Sequence, residues 1–315
     1  MPLLEIRNLR IDFGTHRVVD EVSLSLDAGK TYCLVGESGC GKSVTALSIA
    51  RLLATPPASH PRGQILWEGH DVLTMNPQQL QRIRGGHVGY VFQEPGASLN
   101  PVMRIGTQIR ESLAHHRPQF ANDAEVIRLL RLVGIPAPET RLKDYPHQLS
   151  GGMQQRVMIA MGLAPQPKLL IADEPTTALD VTVQAQIIEL LRDLQRQFGM
   201  ALLLVTHNLS LVGDIADRVG VMYAGQIVEE GNALDVLQRP RHPYTQALLR
   251  SVPELGRAGR RLESIPGTVP RPGDWPTGCR FAPRCPKARS ECSVGPIDWN
   301  PGGIHHAVRC PHAES

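Results

Sequence analysis

The sequence predicts an α/β fold built around a phosphate loop, and three observations support this prediction. The apolar run from Thr31 to Val35 has the composition of a strand, and the chain after residue 43 has apolar residues at helical spacing. Between them lies a segment that fits the Gly-x4-Gly-Lys-Ser pattern of a nucleotide-phosphate loop. A second apolar run, from Lys168 to Ala172, ends in two carboxylates. The loop consists of Gly36, Glu37, Ser38, Gly39, Cys40, Gly41, Lys42 and Ser43.

The chemistry of this loop suits a nucleoside triphosphate. Its glycines let several backbone N–H groups point inward, where they and the N-terminus of the next helix can hold phosphate oxygens. Lys42 is expected to bridge the β- and γ-phosphates, and Ser43 to place its hydroxyl on Mg²⁺. We therefore expect all eight loop residues to contribute to ATP binding.

Length and composition place the chain among globular proteins without a charge-selected partner. It has 315 residues and a formal net charge of +3, which gives no reason to expect nucleic acid as a partner. The N-terminus has no charged-then-apolar leader, and the longest apolar runs are too short to span a bilayer. We therefore expect a cytoplasmic protein, in which six cysteines do not form a disulfide framework.

The first part of the chain alternates between strands and breaks. Phe13, at the end of its strand, is a candidate platform for adenine, although a strand-end core aromatic is the equal alternative. Proline at positions 56, 57 and 61 interrupts the pattern that follows the loop helix. The expected elements are a strand from Leu4 to Phe13, a turn over Gly14-Thr15-His16, strands from Val18 to Leu26 and Gln64 to Trp67, and a helix from Pro77 to Ile83.

A polar residue ends the next strand, which we place at His87 to Phe92. Gln93 follows it directly, where its side chain is able to reach Mg²⁺ and the attacking water. From residue 105 to about 163 the pattern is helical, with breaks at prolines, which predicts a helical insert.

A second anion site is expected within this insert. Ser150 is a good helix N-cap, and Gly151 and Gly152 leave the first-turn N–H groups uncovered. A capped helix start is common, but Leu-Ser-Gly-Gly-x-Gln-x-Arg in a chain that also has a phosphate loop is more specific. Gln154 belongs to the same pattern.

Two adjacent carboxylates are expected to divide the catalytic work. Asp173 and Glu174 follow a fully apolar strand, at the sheet edge where ligands of open α/β sheets bind. We expect Asp173 to hold Mg²⁺ through water and Glu174 to act as general base toward the attacking water. Asp180 precedes a helix predicted from Val181 to Gln197. His207 follows a strand predicted from Ala201 to Val205 and is expected to contact the γ-phosphate.

The motifs, in this order and approximate spacing, resemble those of the ATP-binding-cassette (ABC) ATPases over about residues 3–250. The resemblance implies a P-loop core sheet with helices, an antiparallel β-subdomain, a helical subdomain at about 96–163, and an irregular Cys-rich extension at 251–315. It implies that two copies close head-to-tail, with each ATP between one phosphate loop and the other copy's Ser150-Gly151-Gly152 segment. Asp180 would lie in the loop that contacts the second copy.

A finer resemblance points to dipeptide and oligopeptide importer ATPases. It rests on residues 96–101, on His242-Pro243-Tyr244-Thr245, and on the tail from Gly278 to Pro286. It implies a peripheral subunit on the cytoplasmic face of the bacterial inner membrane. The implied partners are a second, similar ATPase in a heterodimer, two permeases and an external binding protein. A nickel or other small-solute importer, an ABC ATPase acting on nucleic acid, and a scaffold regulated by ATP remain alternatives.

The extension contains four cysteines that we expect to bind one metal centre. Five, six and seventeen residues separate them, in a segment rich in Pro and Gly that is poorly suited to folding by apolar burial alone. Four thiolates suit Zn²⁺ or an iron–sulfur cluster, but zinc sites usually contain cysteines only two to four residues apart. The spacing and the resemblance favour a [4Fe–4S] cluster; unligated thiols, or His305 or His306 in place of a cysteine, are the alternatives. The cysteines are Cys279, Cys285, Cys292 and Cys310.

Overall fold

Two compact units make up the chain in the computed structural model, which describes residues 1–177, 179–251, 264–301 and 306–313. The first unit comprises Met1–Asp27, Thr31–Leu73 and Val205–Ser315, and the second Ala28–Lys30 and Thr74–Leu204. The predicted division of the sequence near residue 250 stays a prediction. Among the described residues, no helix combines the length and the apolar character needed to cross a bilayer.

The strands of the described residues are short apart from three long ones near the N-terminus. They are β1 (Leu4–Phe13), β2 (His16–Leu26), β3 (Thr31–Val35), β4 (Ala58–Trp67), β5 (His70–Asp71), β6 (Val88–Val91), β7 (Leu169–Asp173), β8 (Ala201–Thr206), β9 (Arg218–Tyr223), β10 (Gln226–Asn232), β11 (Asn300–Pro301) and β12 (His306–Val308).

The α-helices fall mostly between β6 and β8. They are α1 (Lys42–Ile49), α2 (Pro77–Ile83), α3 (Pro95–Ser98), α4 (Ile105–His116), α5 (Asp123–Leu132), α6 (Pro138–Arg141), α7 (Gly151–Leu163), α8 (Val181–Phe198), α9 (Ala233–Gln238) and α10 (Pro243–Ser251). The predicted helical insert between residues 105 and 163 is thereby confirmed.

The first unit contains an antiparallel sheet in the order β2-β1-β4-β5. It also contains the strand series β11-β12-β10-β9-β3, in which β3 runs parallel to β9 and the other pairs are antiparallel. Every residue of β3 is buried, as its unbroken apolar sequence predicts for a strand covered on both faces. The phosphate loop follows β3 directly, so a rigid buried strand holds its first residue.

The second unit places β8, β7 and β6 side by side in that order, with β6 parallel to β7. The helix α8 begins where the Asp180 carboxylate accepts a hydrogen bond from the N–H of Val183 at 3.0 Å. It ends at Gly199, whose φ of 61° is the left-handed conformation common after a helix. Its buried residues recur at helical spacing: Ile187, Ile188, Leu191 and Leu194.

Two details of the sequence prediction are wrong. His16 belongs to β2 and pairs with Phe13, so the turn is shorter than predicted. Pro61 does not interrupt the chain but lies inside β4, whose partner β5 reaches only Leu66 and Trp67. Proline is tolerated there because Pro61 lies at the irregularity between the pairings of Arg62 and Ser59 with β1, and β5 does not reach it. The strands β9 and β10 have no counterpart among the elements predicted from the sequence.

Candidate functional site

Two glycines give the phosphate loop a backbone path that other residues resist. Gly36 has a φ of 154°, and a Cβ there would lie 2.1 Å from the carbonyl oxygen of Met222. Gly41, directly before α1, has a φ of 105°. Both conformations are left-handed, where an L side chain is strained. The strand–loop–helix context of the predicted nucleotide loop is therefore present.

Lys42 is buried in the loop that it terminates, with an exposed fraction of only 4%. Its ammonium group donates hydrogen bonds to the carbonyl oxygens of Gly36 at 2.8 Å and Glu37 at 3.0 Å. A buried ammonium group is costly unless it is paired. The loop thus places a positive charge on its inner side, which suits an anionic ligand.

Glu37 is held from outside the loop on both its backbone and its side chain. Its N–H donates to the hydroxyl of Tyr244 at 2.9 Å. Its carboxylate accepts two hydrogen bonds from the guanidinium of Arg284, at 2.7 and 3.0 Å. Arg284 and Tyr244 both belong to motifs noted in the sequence, but neither was predicted to contact the phosphate loop.

Asp173 and Glu174 lie at the C-terminal end of the buried strand β7, as predicted from the sequence. Both are buried, with exposed fractions of 5% and 6%. The Tyr90 hydroxyl donates to Oδ2 of Asp173 at 2.9 Å. Burial and this carboxylate raise the pKa of Tyr90, so the phenol keeps its proton and acts as a donor. No sequence pattern predicts this contact.

Glu174 receives two side-chain hydrogen bonds on the same oxygen. Gln93 Nε2 donates to Oε2 at 3.2 Å, and Thr177 Oγ1 donates to it at 2.9 Å. The backbone φ of Glu174 is 46°, an uncommon conformation for a residue with a side chain. Strain of this kind tends to occur at functional sites. The carboxylate is thus fixed in one orientation.

The Ser150 segment has the capped helix start that the sequence predicts. The Ser150 hydroxyl accepts a hydrogen bond from the N–H of Met153 at 3.4 Å. Ser150 and Gly151 are exposed and Gly152 is half-buried. Gln154 donates from Nε2 to the carbonyl oxygens of Pro146 at 2.9 Å and Leu149 at 3.2 Å, which braces the chain before the cap.

The other predicted site residues lie on exposed or half-buried parts of their own units. Asp180 is exposed and caps α8. His207 is exposed directly after β8, and Gln93 is exposed two residues beyond β6. Phe13 is half-buried and pairs with His16 and Ala58, which suits a strand-end aromatic as well as an adenine platform.

The four cysteines of the extension are free thiols, and the pKa values of three of them are raised in part by other members of the set. Burial and the neighbouring Cys310 and Cys292 thiols raise the pKa of Cys279 to about 11. Burial, with Cys292 nearby, likewise raises the pKa of Cys285 and of Cys310. Among the residues that the structure describes, no three His, Cys, Asp or Glu side chains are placed to hold one metal ion.

The extension is also tied to the strand β10 by a buried carboxylate. Nε2 of His306 lies 2.7 Å from Oε1 of Glu229, which is fully buried. The N–H groups of Arg241 and His242 donate to the same carboxylate at 2.7 and 2.9 Å. Burial alone would raise the pKa of Glu229, but these hydrogen bonds, led by that of His306, lower it. His305, the other histidine considered as a ligand, lies outside the described residues.

Two protein families match separate parts of the chain. The ABC transporter family matches residues 19–177. The oligopeptide/dipeptide transporter C-terminal region matches residues 228–292. The first span contains the phosphate loop, Gln93, the Ser150 segment and the two carboxylates. The second contains the Tyr244 motif and three of the four cysteines.

Relatives cover nearly the whole chain, and solved structures share the fold. The dipeptide transport ATP-binding protein DppD of Haemophilus influenzae is 50% identical over 93% of this chain and 90% of its own length. The oligopeptide transport ATP-binding protein OppD of Bacillus subtilis is 49% identical over 90% of this chain and 81% of its own length. The cbiO1 subunit from Clostridium perfringens has a TM-score of 0.66 at 26% identity, covering 76% of this chain and 91% of its own. The ATP-binding cassette MJ0796, as a dimer with ADP and phosphate, has a TM-score of 0.63 at 25% identity, covering 73% and 98%. The chain belongs to the ABC transporter family of ATPases.

Proposed function

We propose that the chain is the ATP-hydrolysing subunit that powers import of dipeptides and oligopeptides across the bacterial inner membrane through partner permeases. The observation that carries this proposal is the joint match of the ATPase core and of the peptide-transporter C-terminal region in one chain. The ATPase core alone occurs with many substrates, whereas the second matching family is described as the C-terminal region of oligopeptide/dipeptide transporters.

In the proposed reaction, Glu174 polarises the water that attacks the γ-phosphate. A general base must be held in one orientation within reach of the proton it accepts. The hydrogen bonds from Gln93 and Thr177 to Oε2 of Glu174 supply that orientation. Gln93 would also sense the nucleotide, because it joins the carboxylate to the loop that follows β6.

The phosphate loop is the proposed site for the triphosphate, with Lys42 against the β- and γ-phosphates. The N–H of Glu37 donates to Tyr244 and that of Cys40 to the carbonyl oxygen of Glu37, so the other N–H groups from Ser38 onward are assigned to phosphate oxygens. Ser43, Gln93 and Asp173 are proposed for Mg²⁺ on the basis of their motifs. Their hydroxyl, amide and carboxylate oxygens are the hard donors that this ion prefers. The adenine contact of Phe13 and the γ-phosphate contact of His207 have the same basis.

A second ATPase subunit is proposed as a partner, in a heterodimer. The exposure of Ser150 and Gly151 at the start of α7 supports a contact made with another chain's nucleotide. Asp180 would lie at the same subunit contact, next to Val181, an apolar residue that is 69% exposed. An exposed apolar residue beside a motif of this kind fits a protein interface.

Two permeases and an external binding protein complete the proposed importer, with this chain peripheral on the cytoplasmic face of the membrane. The segment from Gln93 to Asn100 is proposed to contact a permease. Phe92 and Val102, at its two ends, are 42% and 79% exposed. Exposed apolar side chains that flank a mostly exposed loop support a docking surface.

Purification from membranes tests the transport assignment. A cross-linker attached to Ala97→Cys in this segment should recover permease subunits, and one attached to Glu139→Cys on the short helix α6 should not. Both parent residues are exposed. Recovery of only soluble proteins, or of ribosomes or nucleic acid, would contradict a role in import.

We also retain the four-cysteine metal centre as a proposal. Four thiols in one extension are the donor set of a [4Fe–4S] cluster, and each of Cys279, Cys285 and Cys310 has a pKa raised partly by other members of the set. The spacing of the cysteines disfavours zinc, because zinc sites usually contain cysteines only two to four residues apart. Such a centre would supply a covalent staple to the extension. His306 is a poor substitute ligand, because its Nε2 contacts Glu229.

A further inference from the structure

The phosphate loop is contacted by a residue that is 247 positions away in the sequence. Arg284, in the C-terminal extension, donates from Nη1 to Oε2 of Glu37 at 2.7 Å and from Nη2 to Oε1 at 3.0 Å. Two parallel N–H···O bonds make a bidentate pair, the strongest arrangement for these groups. The contact therefore fixes the direction of the carboxylate as well as neutralising its charge.

The guanidinium of Arg284 is itself held in place. Its side chain is only 5% exposed. Its Nε donates to the carbonyl oxygen of Pro266 at 2.8 Å, and its Nη1 lies 3.3 Å from the hydroxyl of Tyr223. Burial alone would lower the pKa of Arg284, but the hydrogen bonds to Glu37 and Tyr223 raise it. The pair is a buried arginine meeting a loop carboxylate, unlike an exposed ion pair between two mobile side chains.

A carboxylate in this loop has an electrostatic cost. Glu37 is the second residue of a segment proposed to bind three phosphate groups, and an unpaired negative charge there repels them. Its backbone is also needed, because the carbonyl oxygen of Glu37 accepts from Lys42, and its N–H donates to Tyr244. A change in the direction of Glu37 is therefore passed directly to the lysine that faces the phosphates.

We propose that Arg284 is a positioning residue of the phosphate loop, which raises the affinity for ATP by orienting and neutralising Glu37. This inference rests on the proposed nucleotide site. It gives the C-terminal extension a role in the ATPase reaction itself. Arg284 does not touch the reacting atoms, so its effect should appear in nucleotide binding and not in the chemical step.

The test compares nucleotide binding and steady-state kinetics in the purified importer complex. Arg284→Met should raise the Kd for a fluorescent ATP analogue and the KM for ATP at least about tenfold, because both charged hydrogen bonds to Glu37 are lost and one alone contributes about that factor. The kcat at saturating ATP should stay within about twofold. Arg284→Lys keeps the charge without the bidentate geometry, so its Kd and KM should lie between those of wild type and Arg284→Met. Arg289→Met is the matched control, because Arg289 is an exposed arginine of the same extension.

A double-mutant cycle separates positioning from general support of the fold. In a Glu37→Gln background, Arg284→Met should change the Kd less than twofold, since the partner charge is gone. An equal tenfold loss in that background, or an unchanged Kd in folded Arg284→Met and Arg284→Lys, would overturn the assignment. Wild-type complex that does not bind the analogue would overturn the proposed nucleotide site and the assignment together. If wild type and Arg289→Met both bind the analogue normally, the nucleotide site stands, and an unchanged Kd in the Arg284 variants overturns only the role proposed for Arg284.

Discussion

Gln93 and Glu174 are joined by a hydrogen bond of 3.2 Å between the amide nitrogen Nε2 and the carboxylate oxygen Oε2. The register of two parallel strands explains why they meet. Val91 in β6 pairs with Ala172 in β7, and each polar residue lies two positions beyond its strand's paired residue. Parallel strands bring their carboxyl ends to one edge of a sheet. A change in the position of the Glu174 carboxylate therefore acts directly on Gln93, the first residue of the segment proposed to contact a permease.

Glu174→Gln should bind ATP but hydrolyse it about 10²–10⁴-fold more slowly, the usual range for loss of a general base. The amide is nearly isosteric, so the contact with Thr177 has a close replacement. Phosphate release and equilibrium binding of a nucleotide analogue measure the two properties separately. Glu189→Gln, at an exposed glutamate of α8, is the control. Turnover like that of wild type would remove Glu174 from the mechanism.

Lys42→Ala should instead lose nucleotide affinity. The ammonium group is missing in the ground state as well as the transition state, so binding and turnover fall together. The carbonyl oxygens of Gly36 and Glu37 also lose their donor, which relaxes the loop. Equilibrium binding of ATP tests this, with the exposed Lys143→Ala as the control. Unchanged affinity would contradict the assignment of the loop.

Acid should destabilise the fold through His242. This imidazole is 1% exposed, and its Nδ1 accepts a hydrogen bond from the N–H of Tyr244 at 3.0 Å. Burial lowers its pKa to about 4. The imidazole takes up a proton near pH 6.5 in the unfolded chain but only near pH 4 in the folded chain. The contribution of neutral His242 to the free energy of unfolding is therefore fully present above pH 6.5 and is lost as the pH falls from 6.5 to about 4. The loss amounts to about 3 kcal/mol.

Urea unfolding at a series of pH values measures this effect. His242→Gln should remove most of the slope between pH 6.5 and about 4, because glutamine does not titrate. His70→Gln, at an exposed histidine of β5, should keep it. The lowered pKa of Glu229 adds a separate loss at lower pH, as the carboxylate becomes protonated. A free energy of unfolding that does not change between pH 6.5 and about 4 would contradict the account.

Anaerobically purified protein should be brown and contain iron and sulfide. Cys285→Ser should bleach the colour and reduce the iron content, because one thiolate ligand is removed. Cys33→Ala, which removes a buried thiol from β3, should leave the colour unchanged. Iron analysis and the visible spectrum decide this without any activity assay. Colourless protein with stoichiometric zinc would point to the rival metal, and metal-free protein would end the proposal.

Most of the features that the sequence predicts correctly depend on local patterns. The phosphate loop, the two carboxylates after β7 and the capped start of α7 were found from the sequence because each depends on neighbours within a few residues. Asp180 was found through its motif, although its capping of α8 gives it a structural role as well. The prediction of a break at Pro61 is wrong because a proline can lie inside a strand at an irregularity in the pairing, as it does in β4.

Long-range pairs were beyond the reach of the sequence. Arg284 reads as one of several arginines in a proline-rich tail, and only the fold brings it to Glu37. The bond between Tyr90 and Asp173 spans 83 residues and has no local signature. Packing decides such contacts, and a single sequence contains no periodic signal for them.

Peptide uptake into proteoliposomes that contain the assembled complex tests the central claim most directly. With ATP on the side of this chain and binding protein on the other, wild-type complex should accumulate labelled dipeptide while it hydrolyses ATP. Complex that contains Glu174→Gln should do neither, and complex that contains Glu189→Gln should do both. Peptide uptake that is independent of ATP, or ATP hydrolysis that persists in Glu174→Gln, would contradict the account.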